Sequence, residues 1–275
     1  LTTYNIQNKD FKWNTSINFS ANKNKVLDLG GPSDLIFIGE RKERYMTQVG
    51  GPSIQFWGYK TQGIWMNQDE LDNNAHGSTD AAGGLRVQNT NGDNVIDEND
   101  MTVLGDPFPD FTWGMTNSFK YKDFDFSFLL QGVQGIDVWN GDGYYNETRK
   151  WNRNYVTNRW INADNPGDGK TPYQNYGMDH MFTDYYIQDG SYIALKDITL
   201  GYTLPKKVAR KMGLTGLRVY TSIQNLKYWW SSDYKGINPE SRYTSGEYSS
   251  PLVAGYQRGG FPIQRTFSFG IDFNF

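Results

Sequence analysis

The chain has 275 residues, a formal net charge of -3, no cysteine and two histidines, His76 and His180. The absence of cysteine removes disulfides, thiol nucleophiles and thiolate metal sites, and the near-neutral charge gives no electrostatic case for nucleic acid. Mean hydropathy is -0.70, and no stretch approaches the roughly 18 apolar residues that a spanning helix needs.

The first residues, Leu1 to Ile6, read as a strand. They carry no initiator methionine and no signal-like region, so the chain reads as the continuation of something longer. From Phe11 an alternation begins. Phe11, Trp13, Thr15, Ile17, Phe19 and Ala21 share one side; Lys12, Asn14, Ser16, Asn18, Ser20 and Asn22 share the other. A period of two places these sets on opposite faces of a strand. The pattern returns at Phe111, Trp113, Met115, Asn117, Phe119 and Tyr121, and again at Phe124, Phe126, Phe128 and Leu130. Two residues break it: Asn117 falls on the apolar face and Leu129 on the polar one. Later runs are Ile198 to Leu204, Leu217 to Ile223, and finally Phe267, Phe269, Ile271, Phe273 and Phe275.

About seven strands result, each near the 9–11 residues of a tilted membrane strand except the partial first one. Their connections sort by parity. Links at 7–10, 121–123 and 205–216 are short; those at about 27–110, 135–189 and 229–262 are long. Short turns on one side and long loops on the other mark a transmembrane β-barrel, whose strands present one face to lipid and one to a polar lumen. On this reading the short turns are periplasmic and the long loops extracellular. The 19 Tyr, 16 Phe and 9 Trp suit interfacial girdles. Seven strands leave two unpaired edges, which lipid does not tolerate. The expected fold is therefore all-β, a C-terminal segment of a larger antiparallel barrel.

Within the loops, Ile54, Phe56, Gly58 and Lys60, with Trp57 and Tyr59, are candidates for an additional strand above the membrane. Pro205 to Gly213 reads as one short helix in a turn, begun by proline and stopped by glycine; its cations read as a solvated surface. Residues 89–100 have two readings. Oxygen ligands at Asn89, Asn91, Asp93, Asp97 and Asp100, with the Val95 carbonyl, match the spacing of a Ca²⁺ loop. Asn89 and Asn94 stand where an aspartate and a turn glycine would be stronger, and the other reading is an Asx-turn loop without metal. Trp57, Trp65, Trp139, Tyr144, Tyr145, Trp151, Trp160, Trp229 and Trp230 are spread over three loops. They read either as packing and girdle or, as a set, as a ligand-facing surface. No catalytic triad, paired carboxylates or phosphate loop is present, so the chain does not read as an enzyme.

Several motifs in order carry a resemblance: Val49 to Pro52, Phe56 to Tyr59, Gly63-Ile64, Asn91-Gly-Asp93 with Ile96-Asp97, and Leu104-Gly105. Tyr121 to Ser127, Asp189 to Pro205, Leu217 to Tyr220, Tyr234 to Gly236, and Arg265 to Phe275 continue it. Together they resemble the C-terminal part of SusC/RagA-type TonB-dependent transporters. The resemblance implies a 22-stranded outer-membrane barrel of a Bacteroidota-type bacterium. A plug domain, coupling to TonB, ExbB and ExbD, and a SusD-like surface lipoprotein acting as a lid would complete the system. It further implies import of a glycan or oligopeptide and dimers of transporter–lipoprotein pairs. The rival readings are a secreted β-sandwich that binds carbohydrate, and a passive porin fragment.

Overall fold

The computed structural model describes residues 1–148, 153–173 and 179–275. Seven long strands form one sheet: β1 Thr2–Gln7, β2 Phe11–Ser20, β3 Phe111–Tyr121, β4 Phe124–Gln134, β5 Tyr192–Thr203, β6 Gly216–Trp230 and β7 Thr266–Asn274. Each pairs antiparallel with its neighbour in sequence, so the sheet is a simple meander with β1 and β7 at its edges. Among the described residues no helix is long and apolar enough to cross a membrane.

The register keeps the two faces distinct across the whole sheet. Trp13 lies opposite Phe119, Phe119 opposite Phe126, Phe126 opposite Leu200, Leu200 opposite Thr221, and Thr221 opposite Phe269. On β7 this outer face is bare: Phe267, Phe269, Ile271 and Phe273 are 62%, 85%, 62% and 54% exposed. A β-sandwich would bury such a row under a second sheet. Among the described residues no second sheet covers it, which speaks against the sandwich reading, and lipid is the medium that suits it. β1 and β7 do not pair with each other, so the seven strands are a wall and not a closed barrel.

Asn117, the polar residue on the outer face, is only 5% exposed. Its Oδ1 accepts from Trp13 Nε1 at 2.9 Å and from Thr15 Oγ1 at 2.7 Å. Asn5 Nδ2 donates in turn to Thr15 Oγ1 at 2.7 Å. The amide is thus tolerated because partners on neighbouring strands satisfy it. Asn117→Leu would strand two donors in apolar surroundings, an expected cost of about 1–3 kcal/mol. A lowered denaturant midpoint of the full-length barrel in lipid vesicles reports it; an unchanged midpoint would refute this account.

Two strands run further than their alternation suggests. β5 carries an extra residue at Lys196, between Leu195 (opposite Leu130) and Asp197 (opposite Leu129). Across from it, β6 places Asn225 and Leu226 between Gln224 and Lys227, with Asn225 at φ 53°. This bulge shifts the phase, so the alternating pattern stops at Asp197 and Gln224 while the strands continue to Tyr192 and Trp230.

The short connection between β5 and β6 carries a helix, α1 Lys206–Lys211, preceded by Pro205. Gly213, at φ 75°, ends it in a conformation that other residues rarely adopt.

The long loops fold rather than dangle. A four-stranded sheet in the first loop orders Asp34–Ile38, Arg44–Gln48, Gln55–Gly58 and Thr102–Gly105. A second small sheet joins the other two loops: Ile187–Asp189 and Asp137–Asn140 from the middle loop, and Tyr256–Gln257 from the last.

Candidate functional site

The loops share one core. Tyr45, Ile54 and Phe56 of the first loop pack with Trp139, Met181 and Tyr186 of the second and Tyr248 and Tyr256 of the third. Each is buried, and the aromatic rings meet edge-on or stacked: Phe56 against Trp139 at 5.4 Å, Tyr248 against Tyr256 at 4.2 Å. Backbone bonds knit the first two loops further, with Tyr59 N donating to the Phe182 carbonyl at 2.7 Å. Gly58 makes that approach feasible, since a Cβ there would lie 2.2 Å from the same carbonyl oxygen. The three long loops therefore form a single cap over the long-loop end of the wall.

This core corrects the reading of the loop aromatics as a ligand-facing set. Trp65, Trp139 and Trp160 are 1%, 0% and 7% exposed. They hold the cap together and offer no face to a ligand. Trp57, Tyr144 and Tyr145 are half-buried, while Trp229 and Trp230, at the long-loop end of β6, are exposed. Trp151 lies outside the described residues.

A carboxyl sits inside this cap. Glu43 is fully buried. Tyr248, from the last loop, donates its hydroxyl to the Glu43 carboxylate, and Arg41 N donates to its Oε2 at 3.0 Å. Gly39 leaves the room it occupies, because a Cβ there would fall 2.2 Å from Oε1. Burial pushes the Glu43 carboxyl above the ordinary glutamate range, against the pull of these hydrogen bonds. His180, also buried, is pushed down to about 4 by desolvation and stays neutral. Nothing about either group assembles a catalytic set.

The 89–100 loop is held by its own side chains. Asn89 Oδ1 accepts from Gly92 N, Asn91 Oδ1 from Asp93 N at 3.0 Å, and Asp93 Oδ1 from Val95 N at 2.9 Å. Asp97 caps the short helical turn Glu98–Asp100, accepting from Asn99 N at 2.8 Å. Asp100, fully buried, accepts from Thr90 N at 2.7 Å and Asp97 N at 3.0 Å. Gly92 and Asn94 take positive φ. Among the described residues no three His, Cys, Asp or Glu converge as metal ligands. In this arrangement the oxygens accept from backbone N–H groups, the pattern of a loop held by Asx turns. Calorimetric titration of Ca²⁺ into the full-length protein is expected to give no heat attributable to this loop, so that wild type and Asp93→Ala match. A binding isotherm lost in the variant would reverse the reading.

Toward the lumen, the wall is lined by small uncharged polar groups: Asn14, Ser16, Asn18 and Ser20 on β2, Thr112, Thr116 and Ser118 on β3, Ser127 and Gln131 on β4, Ser222 and Gln224 on β6. At its long-loop end a cleft of about 230 Å³ is lined by Ser20, Asn22, Asn24, Phe108, Pro109 and Thr112. On β5, the Lys196 side chain at the bulge donates from Nζ to Tyr228 OH at 2.6 Å and pairs with Glu240 of the last loop at 2.6 Å. Amides, hydroxyls and aromatic faces of this kind grip neutral, hydrogen-bonding ligands by many weak contacts. Sequence periodicity missed this group because the bulge hides the strand around it.

A wall with a bare apolar outer face, a polar inner face and a folded cap on one side is the architecture of an outer-membrane β-barrel segment. Comparison with known proteins makes the class specific, although no protein-family model matches the chain. It is 33% identical over 290 residues to TonB-dependent receptor P26 of Formosa agariphila, covering 100% of this chain and 28% of the relative. It is 26% identical over 284 residues to TonB-dependent receptor SusC of Bacteroides thetaiotaomicron, covering 98% and 25% respectively. The fold matches the RagAB peptide importer in its open-open state with a TM-score of 0.72 at 18% identity, over 100% of this chain and 28% of that one. In sequence the chain is similar to TonB-dependent receptors, SusC among them, and it shares the fold of the matching part of the RagAB importer. It spans about a quarter of the length of these relatives.

Proposed function

We propose that this chain builds the barrel wall and outer mouth of an active importer that carries a glycan or oligopeptide across the outer membrane. The import would be driven through TonB, ExbB and ExbD acting on a plug contributed by other parts of the polypeptide. A SusD-like lipoprotein would close over the folded cap, and paired complexes would form the working assembly. The work is binding and gating; no bond chemistry is assigned to any residue. One observation carries the reading: a meander whose two faces stay sorted, lipid-like and lumen-like, through seven strands and two register shifts, with the structured loops all at one end. The named relatives, receptors and an importer, support it.

The test is affinity purification of the full-length protein from outer membranes in mild detergent, paired with growth of a deletion strain on single carbon sources. A co-purifying SusD-like lipoprotein and loss of growth on one glycan or peptide mixture are the expected results. Solubility in plain buffer, or passive uptake that persists without TonB, would overturn it.

A further inference from the structure

The lumen face of the wall carries most of its charge in one belt at the periplasmic end. Lys12 stands opposite Lys120, Lys120 opposite Asp125, and Arg218 opposite Asp272. Above this level the lining is the uncharged polar surface described above, with Lys196 and Asp197 at the bulge of β5 the exceptions.

In one half of the belt every charge is paired, one guanidinium between two carboxylates. Arg218 binds both oxygens of Asp125, Nε to Oδ1 at 3.0 Å and Nη2 to Oδ2 at 2.7 Å, and reaches Asp272 with Nη1 at 3.1 Å. The bridge crosses β5 over Gly201, where a Cβ would lie 2.5 Å from the guanidinium and 2.6 Å from the carboxylate. The other half is not neutralised. Lys12 and Lys120 are exposed and directly cross-strand, and among the described residues neither forms an ion pair. Like charges placed directly opposite destabilise a strand pair. The carboxylate opposite Lys120, Asp125, has both oxygens on Arg218.

We infer that the Lys12–Lys120 pair is the point on the wall where a carboxylate-bearing segment of the lumen-filling plug docks. This rests on the proposed plugged importer. Charge complementarity sets the chemistry of the partner: two flexible ammonium groups, close together, suit one or two carboxylates. Position argues for a fixed partner over a passing solute. A permeating anion would need further cations along its path, and the wall above the belt supplies only Lys196, which Glu240 already neutralises. The segment lies outside residues 1–275, in the nearly three-quarters of the relatives' length that this chain does not span.

The experiment uses the full-length protein in outer-membrane vesicles. A water-soluble carbodiimide condenses a lysine amine with an adjacent carboxylate, and mass spectrometry reads the joined peptides. The expected result is a link from Lys12 or Lys120 to an aspartate or glutamate of the plug, lost in Lys12→Gln/Lys120→Gln. In planar bilayers, Lys12→Glu/Lys120→Glu is expected to raise the frequency of open-pore events at least tenfold. Lys206→Glu/Lys207→Glu, equal in charge but on the turn helix outside the lumen, is expected to leave it unchanged. If the wild type is closed but both lysines acetylate freely and form no link, the docking inference falls and the plugged lumen stands. If the wild type conducts continuously with anion selectivity set by these lysines, the plugged reading itself falls and the inference with it.

Discussion

Replacing Phe269 by arginine is expected to destabilise the folded barrel by about 2–4 kcal/mol, the cost of a cation on a lipid face near mid-membrane. Phe269 is 85% exposed in the middle of β7, with Phe267 and Ile271 on the same side. The neighbouring Ser268 points the other way, opposite Ser222 on the lumen face. Ser268→Arg adds the same charge one residue away, into a polar lining, and is expected to cost well under half as much. Reversible denaturant unfolding of the full-length protein in lipid vesicles measures both. Equal costs for the two substitutions would mean that the apolar face does not meet lipid.

The second large effect belongs to the cap. Tyr248→Phe removes the hydroxyl that donates to buried Glu43 and leaves that carboxyl with backbone N–H groups alone, those of Arg41 and Glu43. A hydrogen bond to a charged group contributes about 1.5–3 kcal/mol, so opening of the cap should become roughly 10- to 100-fold more frequent. Hydrogen exchange of residues 34–58 and 243–257 reads this directly, while exchange in β2 to β6 should not change. The same carboxyl makes the cap sensitive to pH. Its folded-state pKa lies above the ordinary glutamate value of 4.5 because burial penalises the charged form. The stability it contributes is therefore complete below 4.5 and declines as pH rises through the raised folded value. Glu40 adds to the rise by repulsion, and Tyr45 and Tyr256, which also face the carboxyl, remain neutral because burial raises both. Glu43→Gln is expected to flatten the pH dependence and keep the cap protected at high pH. A wild-type cap whose exchange, corrected for intrinsic rates, ignores pH would remove Glu43 from this role.

The wall was legible because a strand has the simplest of periods. From Phe11 to Phe19 and from Phe267 to Phe273, each side chain's face follows from whether its position is odd or even, and lipid on one side and water on the other enforce the sorting. The exceptions in sequence were also real in structure: Asn117 does lie on the apolar face, and only its bonds to Trp13 and Thr15 on the next strand show why that is tolerated. The bulge marks where the period fails. Inserting Lys196 against Asn225 and Leu226 resets the phase, and the last turns of β5 and β6 become invisible to alternation.

The cap lay beyond sequence because its contacts have no period. Glu43 and Tyr248 are 205 residues apart, and nothing local distinguishes Glu43 from the exposed Glu40 three positions earlier. Trp139 on an exposed loop and Trp139 in a core have the same neighbours in sequence. The 89–100 loop shows the same limit from the other side: the spacing of oxygens suits both a cation and a set of Asx turns, and only the structure shows which N–H groups the oxygens accept from.

The sequence by itself determined the strands, their faces, the sorting of short turns from long loops, and hence a lipid-facing wall, because these depend on neighbours one or two residues away. Tertiary structure alone decided that three loops share one core, that Glu43 is buried in it, and that Gly201 lets Arg218 reach Asp125 across a strand while Lys12 and Lys120 are left facing each other. Those outcomes depend on which distant residues the meander brings to the same height, a quantity that pairing register sets and local pattern does not contain.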